Sequence, residues 1–256
     1  MSAHKALITS STAYPPDDRG LFSVCLGSKN IAITFDDGPN PTSTPKVLDE
    51  LKARKVKATF AVLGSLVQQN PSIAKRIIDE GHQIISHSWS HINYTTLSEA
   101  AIIDDLSKTR QVIKEATGYE VKYFRFPYGA YNSSTVDIVA NQGYRMILWN
   151  VDSMDWSYLN PQKTTNSTLQ QIKAAAPISP ILLMHDIHIE TANTMPVLLP
   201  ELQKLSISFL NAEECVGLSE PKAQPGSQSE SVNLHAGIPL ISAIVFGALI
   251  IRYMFN

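Results

Sequence analysis

Short apolar runs alternate with amphipathic segments through the middle of this chain. Seven runs have the length and composition of buried strands, and the segments between them carry apolar residues at helical spacing. The predicted strands are Ile31–Phe35, Ala58–Leu63, Gln83–Ser86, Lys122–Phe126, Arg145–Val151, Ile181–Met184 and Ile207–Leu210. Because each intervening helix returns the chain to the same end of the sheet, the pattern predicts parallel pairing.

Helix signals support this reading. Thr44 before Pro45 predicts one helix start, and Ser98 and Gly118 bound a long helix. Two later helices are predicted around Leu169–Ala176 and Pro196–Leu205. A single barrel-like sheet wrapped by helices closes such a series, so the predicted fold class is α/β, a (β/α) barrel of about seven parallel strands.

Ionisable residues stand at or just after the carboxyl ends of five of the predicted strands. They are Asp36 and Asp37, His87 and His91, Arg125, Asp152 and Asp155, and His185 and Asp186. Parallel α/β barrels place their active sites at the carboxyl ends of the strands. We therefore expect one site in space, although its residues are scattered along the chain. The remaining histidines, His4, His82, His188 and His235, show no partner pattern and are expected at the surface or in loops.

The spacing of His87 and His91 places two imidazoles on one helical face or turn, a common way to bind one metal ion. Asp37 is the candidate third ligand, and such a site suits zinc or another divalent ion with water completing the shell. A bound ion lowers the pKa of its water toward neutrality. Taken singly, the histidine pair could be incidental and Asp36-Asp37-Gly38-Pro39 a simple turn. The joint arrangement favours a site.

The other strand-end residues suit proton transfer. Asp36 is the candidate proton acceptor, and Arg125 could hold it ionised and oriented. His185 could donate a proton to a departing amine, and either Asp152 or Asp155 could keep that histidine charged.

Three further residues suggest a substrate cleft. Tyr128 and Trp156 flank the polar cluster, as aromatic platforms for sugars do, and Leu183 faces the same side of its strand as His185. Leu183 could line a small apolar pocket for an acetyl group.

The chain ends differ from this central region. Residues 1–20 form an N-terminal extension, and residues 218–235 read as a polar linker. Residues 236–256 form a hydrophobic tail, expected to attach the protein to a membrane or cell wall directly or as a glycolipid-anchor signal. The formal net charge of −2 gives no basic field for binding nucleic acid.

Five segments together resemble the polysaccharide deacetylase family of NodB-like carbohydrate esterases. They are Thr34-Phe35-Asp36-Asp37-Gly38-Pro39, His87-Ser88-Trp89-Ser90-His91, Arg125-Phe126-Pro127-Tyr128-Gly129, Asp152-Ser153-Met154-Asp155-Trp156 and Leu183-Met184-His185-Asp186. The resemblance covers residues 21–217, the expected catalytic domain. It departs from the family at Phe126, where many members carry proline.

The resemblance implies a distorted (β/α) barrel and a role for each matching residue. Asp36 would be the general base, His185 the general acid, Arg125 the residue that orients the base, and the Tyr128 N–H a donor to the oxyanion. Asp37, His87 and His91 would bind the metal, zinc or alternatively cobalt. Members include chitin, chitooligosaccharide, peptidoglycan and acetylxylan deacetylases.

The main functional expectation is N-deacetylation of chitin or chitooligosaccharides by a secreted or cell-surface enzyme. The alternatives are O-acetyl xylan or peptidoglycan deacetylation, and a catalytically silent, wall-associated glycan-binding protein. Cys25 precedes the first predicted strand and Cys215 follows the last, and these strands are neighbours in a closed barrel. A Cys25–Cys215 disulfide is therefore expected, with two unrelated thiols as the alternative. The cysteine pair and the hydrophobic tail make the chain resemble fungal-type chitin deacetylases.

Overall fold

The computed structural model describes residues 19–217. Within this range, nine strands form one sheet in which every strand pairing is parallel. The strands are β1 (Leu21–Phe22), β2 (Asn30–Asp36), β3 (Thr59–Val62), β4 (Gln83–Ser86), β5 (Tyr123–Phe124), β6 (Arg145–Ile147), β7 (Val151–Asp152), β8 (Ile181–His185) and β9 (Ser208–Leu210). Their order is β1-β6-β5-β4-β3-β2-β8-β7, with β9 also paired to β2.

The predicted strand Arg145–Val151 is divided in the structure. β7 is the last strand in the order, whereas β6 lies beside β1 at the other end, and the chain between β6 and β7 crosses from one side of the sheet to the other. There the N–H of Leu148 donates to the Phe22 carbonyl, and the N–H of Asn150 donates to the Ile181 carbonyl. A bridge between Val24 and Pro180 joins the same two ends. These contacts close the sheet into a distorted (β/α) barrel, as predicted, although with nine short strands in the described range.

The helices cover the outside of the sheet. They are α1 (Thr44–Ala53), α2 (Gly64–Gln69), α3 (Pro71–Asp79), α4 (Glu99–Thr117), α5 (Ser133–Asn141), α6 (Asp155–Tyr158), α7 (Pro161–Ala175), α8 (Ile189–Gln203) and α9 (Ala212–Cys215). Ser98 and Gly118 bound α4 as predicted: the Ser98 side chain accepts a hydrogen bond from the Ala101 N–H, and Gly118 is left-handed. α1 begins one residue before its predicted first position, because Ser43 rather than Thr44 is its N-cap.

The core lies between the helices and the strands. Ile31, Ile33 and Phe35 alternate along β2 and are fully buried, and Phe35 stacks on Phe60 of β3 at 5.1 Å. His82 was expected at the surface, but it is buried and its Nδ1 accepts the Ala58 N–H at 3.2 Å. Burial lowers the pKa of His82 to about 4, so it packs as a neutral side chain.

A disulfide joins the two ends of the described domain. Cys25 and Cys215 are bonded across 190 residues of sequence with a Cα–Cα distance of 4.6 Å, as predicted. The N–H of Leu26 also donates to the Cys215 carbonyl at 2.7 Å, so backbone and sulfur atoms tie the same two segments.

The predicted extension, linker and tail lie outside the described residues, apart from Arg19 and Gly20, which precede β1. Between residues 19 and 217, no helix combines the length and apolar character needed to cross a membrane.

Candidate active site

Strand register brings the ionisable residues together at one end of the barrel. Asp36, the last residue of β2, is paired with His185, the last residue of β8. On its other side, Asp36 is paired with Ala61 of β3. The next strand, β4, ends one residue before His87. Parallel pairing thus aligns the carboxyl ends of neighbouring strands, and residues far apart in sequence share one rim.

Asp37, His87 and His91 form a candidate metal site. Oδ1 of Asp37 lies 3.4 Å from Nε2 of His87 and 3.3 Å from Nε2 of His91. Ligand atoms about 2.0–2.1 Å from a tetrahedral zinc ion lie about 3.3–3.4 Å from one another. The Asp37 oxygen is buried and has no hydrogen-bond partner among the described residues. The spacing and the unpartnered oxygen both fit a divalent ion.

The protonation states of these ligands also fit a cation. Burial alone would raise the pKa of Asp37, but the neighbouring His87, with the charges of His91 and His185, lowers it to about 2. Burial, together with the neighbouring His87, lowers the pKa of His91. A neutral imidazole and an ionised carboxylate are the forms that bind metals.

His87 is oriented by a backbone carbonyl. Its Nδ1 lies 2.8 Å from the carbonyl oxygen of Arg125, so Nδ1–H donates to that oxygen and Nε2 faces Asp37. The His91 ring instead packs edge-on against Tyr128, with 4.3 Å between the ring centroids. Both His91 and Tyr128 have positive φ, at 59° and 62°, in a region that residues other than glycine seldom adopt. Such strain often accompanies functional sites.

Asp36 is held by a buried arginine. A guanidinium nitrogen of Arg125 donates to Oδ1 of Asp36 at 2.6 Å, and the same nitrogen donates to the Thr34 hydroxyl at 2.7 Å. Its remaining donors bind the carbonyls of Ile147 and Leu148, both at 3.0 Å. Arg125 is fully buried, so its charge is balanced by this carboxylate rather than by solvent.

His185 is paired with Asp155 rather than with Asp152. Nδ1 of His185 lies 2.8 Å from Oδ1 of Asp155, whose Oδ2 accepts the Thr191 hydroxyl at 2.7 Å. Burial opposes a charged imidazole, but the hydrogen bond and charge of Asp155, with the charges of Asp36 and Asp37, raise the pKa of His185 to about 9.

Asp152 has a local structural contact. Its Oδ1 accepts the N–H of Met154 at 2.8 Å, and burial raises its pKa despite that bond. Because Met154 is the N-cap of α6, Asp152 supports the start of the helix that carries Asp155.

The predicted substrate residues lie around this cluster. Leu183 is buried on β8, opposite Thr34 in the register and two residues before His185. Trp156 is half exposed on α6, and Tyr128 is 65% exposed. Tyr128 is the middle residue of the 3₁₀ turn Pro127–Gly129. The first hydrogen bond of this turn is donated by the Gly129 N–H, so the N–H of Tyr128 is not used within the turn.

Asp186 packs against Gly38, in the loop that follows Asp36 and Asp37. It is fully buried, and it accepts a hydrogen bond from the Thr44 hydroxyl. A Cβ on Gly38 would lie 2.4 Å from both carboxylate oxygens of Asp186, so this approach requires glycine. Burial raises the pKa of Asp186 to about 7.

Sequence reasoning missed the supporting hydroxyls. Thr34, Thr44 and Thr191 each bind a site residue, yet a single threonine carries no signal of such a role in one sequence. Thr34 is the first residue of the first family segment, two residues before Asp36, and this was the available hint for its role. The completed arrangement combines a candidate metal site, an arginine-held carboxylate and a histidine–aspartate pair, the components of a metal-assisted hydrolase.

Comparison with known proteins agrees with this class. The family model for polysaccharide deacetylase matches residues 23–147. The chain is 34% identical over 191 residues to a peptidoglycan-N-acetylglucosamine deacetylase of Bacillus cereus, covering 73% of this chain and 87% of that protein. The chain therefore belongs to the polysaccharide deacetylase family, as the five segments predicted.

Two further relatives extend the comparison. The chain is 42% identical over 201 residues to the peptidoglycan-N-acetylglucosamine deacetylase PgdA of Listeria monocytogenes, covering 78% of this chain but only 41% of the Listeria protein. The chitin deacetylase of the fungal pathogen Colletotrichum lindemuthianum has a similar structure, with a TM-score of 0.73 and 27% identity. That match covers 80% of this chain and 94% of the fungal one. The two bacterial proteins are thus more similar in sequence.

Proposed function

We propose that this protein hydrolyses the N-acetyl amide of N-acetylglucosamine residues in peptidoglycan, releasing acetate and leaving a free amine on the sugar. The observation that carries the proposal is the Asp37–His87–His91 cluster, which shares one end of the barrel with an arginine-held Asp36 and an Asp155-paired His185. The names of the bacterial relatives support peptidoglycan over chitin, so the order of the two expectations from the sequence is reversed.

Asp36 is the proton acceptor in this proposal. Water adds its oxygen to the acetyl carbonyl carbon, and the proton lost from water passes to Asp36. The contact with Arg125, at 2.6 Å, holds this carboxylate in place. Oδ2 of Asp36 lies 3.7 Å from Nε2 of His87, so the base is next to the candidate metal site.

His185 is the proton donor. When the carbon–nitrogen bond breaks, the leaving nitrogen needs a proton, and a histidine with a pKa of about 9 carries one at neutral pH. Asp155 holds the ring through Nδ1, which leaves Nε2 to donate.

The remaining groups position the acetyl group. The N–H of Tyr128 is the proposed donor to the oxygen that becomes negatively charged, and Leu183 is the proposed apolar wall for the methyl group. Trp156, exposed beside Asp155, is the proposed platform for the sugar ring.

Asp37, His87 and His91 would hold the metal ion, and we propose zinc because two imidazoles and one carboxylate are typical zinc ligands. When bound, a divalent ion supplies Lewis-acid chemistry that lowers the pKa of a water molecule and polarises a carbonyl. Cobalt is the alternative ion.

The protein is proposed to act outside the cytoplasm, at the cell wall. The Cys25–Cys215 disulfide supports an oxidising compartment, and the bacterial relatives are named for a wall polymer. Attachment through residues 236–256 remains an expectation from the sequence.

Acetate release tests the proposal. The full chain, with zinc or with cobalt, would be incubated with peptidoglycan, chitooligosaccharides and acetylated xylan, and Asp36→Asn would serve as the matched control. We expect the fastest release from peptidoglycan and little from Asp36→Asn. Release from xylan alone would contradict an N-deacetylase, and no release from any glycan would support the silent, glycan-binding alternative.

Chitooligosaccharide deacetylation is the second candidate. The similarity to the fungal chitin deacetylase favours it, and chitin and peptidoglycan share the N-acetylglucosamine unit. Faster acetate release from chitooligosaccharides than from peptidoglycan in the same assay would favour chitooligosaccharides as the substrate.

A further inference from the structure

The segment between the two metal-ligating histidines lies against helix α4. Asp105 of α4 accepts two hydrogen bonds at one oxygen, from the Trp89 N–H at 2.9 Å and from the Tyr94 hydroxyl at 2.6 Å. Trp89 stands midway between His87 and His91, and Tyr94 follows His91 by three residues. One carboxylate therefore binds the chain on both sides of His91.

The same segment is also bound by helix α2. The N–H groups of Gly64 and Ser65, at the first turn of that helix, donate to the carbonyls of Ser88 and Trp89, both at 3.0 Å. The Trp89 ring lies so close to Gly64 that a Cβ there would be 2.6 Å from it. The carbonyls of Ser88 and Trp89 thus bind α2, and the Trp89 N–H binds Asp105 of α4.

This segment needs external support because its backbone is strained. Ser88 and His91 have φ of 70° and 59°, and conformations of this kind persist where surrounding contacts determine them. His87 has its own anchor in the Arg125 carbonyl, whereas the described contacts of the His91 ring are with Asp37, His87 and Tyr128. The position of His91 therefore depends on how the backbone around it is held.

We propose that Asp105 is a positioning residue for the metal site, which sets the place of His91 by fixing the backbone at Trp89 and the side chain at Tyr94. Tyr94 transmits this contact into the core, since it is fully buried and stacks on Phe124 at 5.0 Å. Lys108, one turn further along α4, lies 3.6 Å from the centre of the Trp89 ring and reinforces the same junction. The inference rests on the metal site of the proposed function.

Zinc affinity of the full chain, measured by competition with a chelating dye, tests the inference. Asp105→Leu removes both hydrogen bonds, and we expect zinc affinity to fall about 10–100-fold, the usual effect of losing a contact that orients a ligand. Asp105→Asn keeps an oxygen that can accept both bonds, so it should retain most of the affinity. Asp104→Leu changes the exposed neighbour on the same helix and should bind zinc like the unaltered chain.

Thermal unfolding of the metal-free variants separates positioning from general stability. If Asp105→Leu unfolds at a lower temperature but binds zinc with unchanged affinity while folded, the inference is overturned. Asp105→Ser, too short to reach Trp89, gives the same comparison if the leucine variant does not fold. Absence of zinc binding by the unaltered chain would instead overturn the proposed metal site itself.

Discussion

Asp155 contacts His185 through both of its carboxylate oxygens. Oδ1 lies 2.8 Å from the imidazole Nδ1, and Oδ2 accepts the backbone N–H of the same histidine at 2.7 Å. The Thr191 hydroxyl also donates to Oδ2, so the carboxylate is held by a second element, α8. The imidazole is thus held in one orientation, with its proton on Nε2 left to face the substrate.

This pair predicts a pH dependence. His185 must carry a proton to act as an acid, so kcat should fall as pH rises through its pKa of about 9. The stabilising effect of the charged pair should be full below the ordinary histidine pKa of about 6.5 and should disappear as pH rises through about 9.

Asp155→Asn should move the alkaline limb of the kcat profile to lower pH. Burial is the largest single influence on the pKa of His185 and lowers it, and Asp155→Asn removes the main influence that opposes burial. Asp152→Asn is the matched control, because Asp152 binds the Met154 N–H and should leave the limb near pH 9. A profile that shifts with Asp152→Asn and not with Asp155→Asn would reverse the assignment.

Asp36→Asn should lower kcat by roughly a hundredfold or more, the scale expected for loss of a positioned base. Zinc content, measured by elemental analysis of the purified variant, should remain near that of the unaltered chain because Asp37 supplies the carboxylate ligand. Retention of most activity would show that Asp36 is not the base.

His91→Ala should abolish tight zinc binding, since two protein ligands seldom hold zinc at neutral pH. His188→Ala is the control, because His188 packs near His185 with 6.4 Å between ring centroids and is outside the candidate metal cluster. Dialysis against zinc followed by elemental analysis measures both. Equal zinc content in the two variants would contradict the assigned ligands.

Replacing Cys25 and Cys215 by serine should lower the free energy of unfolding by about 5 kcal/mol, the chain-entropy value for a loop of this length. Urea unfolding of the variant and of the unaltered chain measures the difference. Thiol titration of the denatured, non-reduced chain should detect no free sulfhydryl at Cys25 or at Cys215. Detection of two would show that the bond is absent in solution.

The sequence was sufficient for the barrel and for naming the ionisable residues that meet at the candidate site. Buried parallel strands are continuous apolar runs, and this pattern survives in a single sequence because burial on both faces demands it. The runs at Ile31–Phe35 and Gln83–Ser86 were therefore recognised with nearly the observed bounds. Periodicity was less informative for α8, which begins at Ile189, seven residues before its predicted start, and contains two prolines.

Tertiary structure alone decided which residues act together. Asp152 and Asp155 are both acids after the same predicted strand, and the choice between them depended on where β7 and α6 turn the chain toward His185. The partner of Thr34 is Arg125, 91 residues away, and the partner of Thr191 is Asp155, 36 residues away. Asp105 binds Trp89, 16 residues away. Apolar patterning reports burial, which is a property of one segment, whereas a hydrogen bond between distant elements depends on how those elements pack.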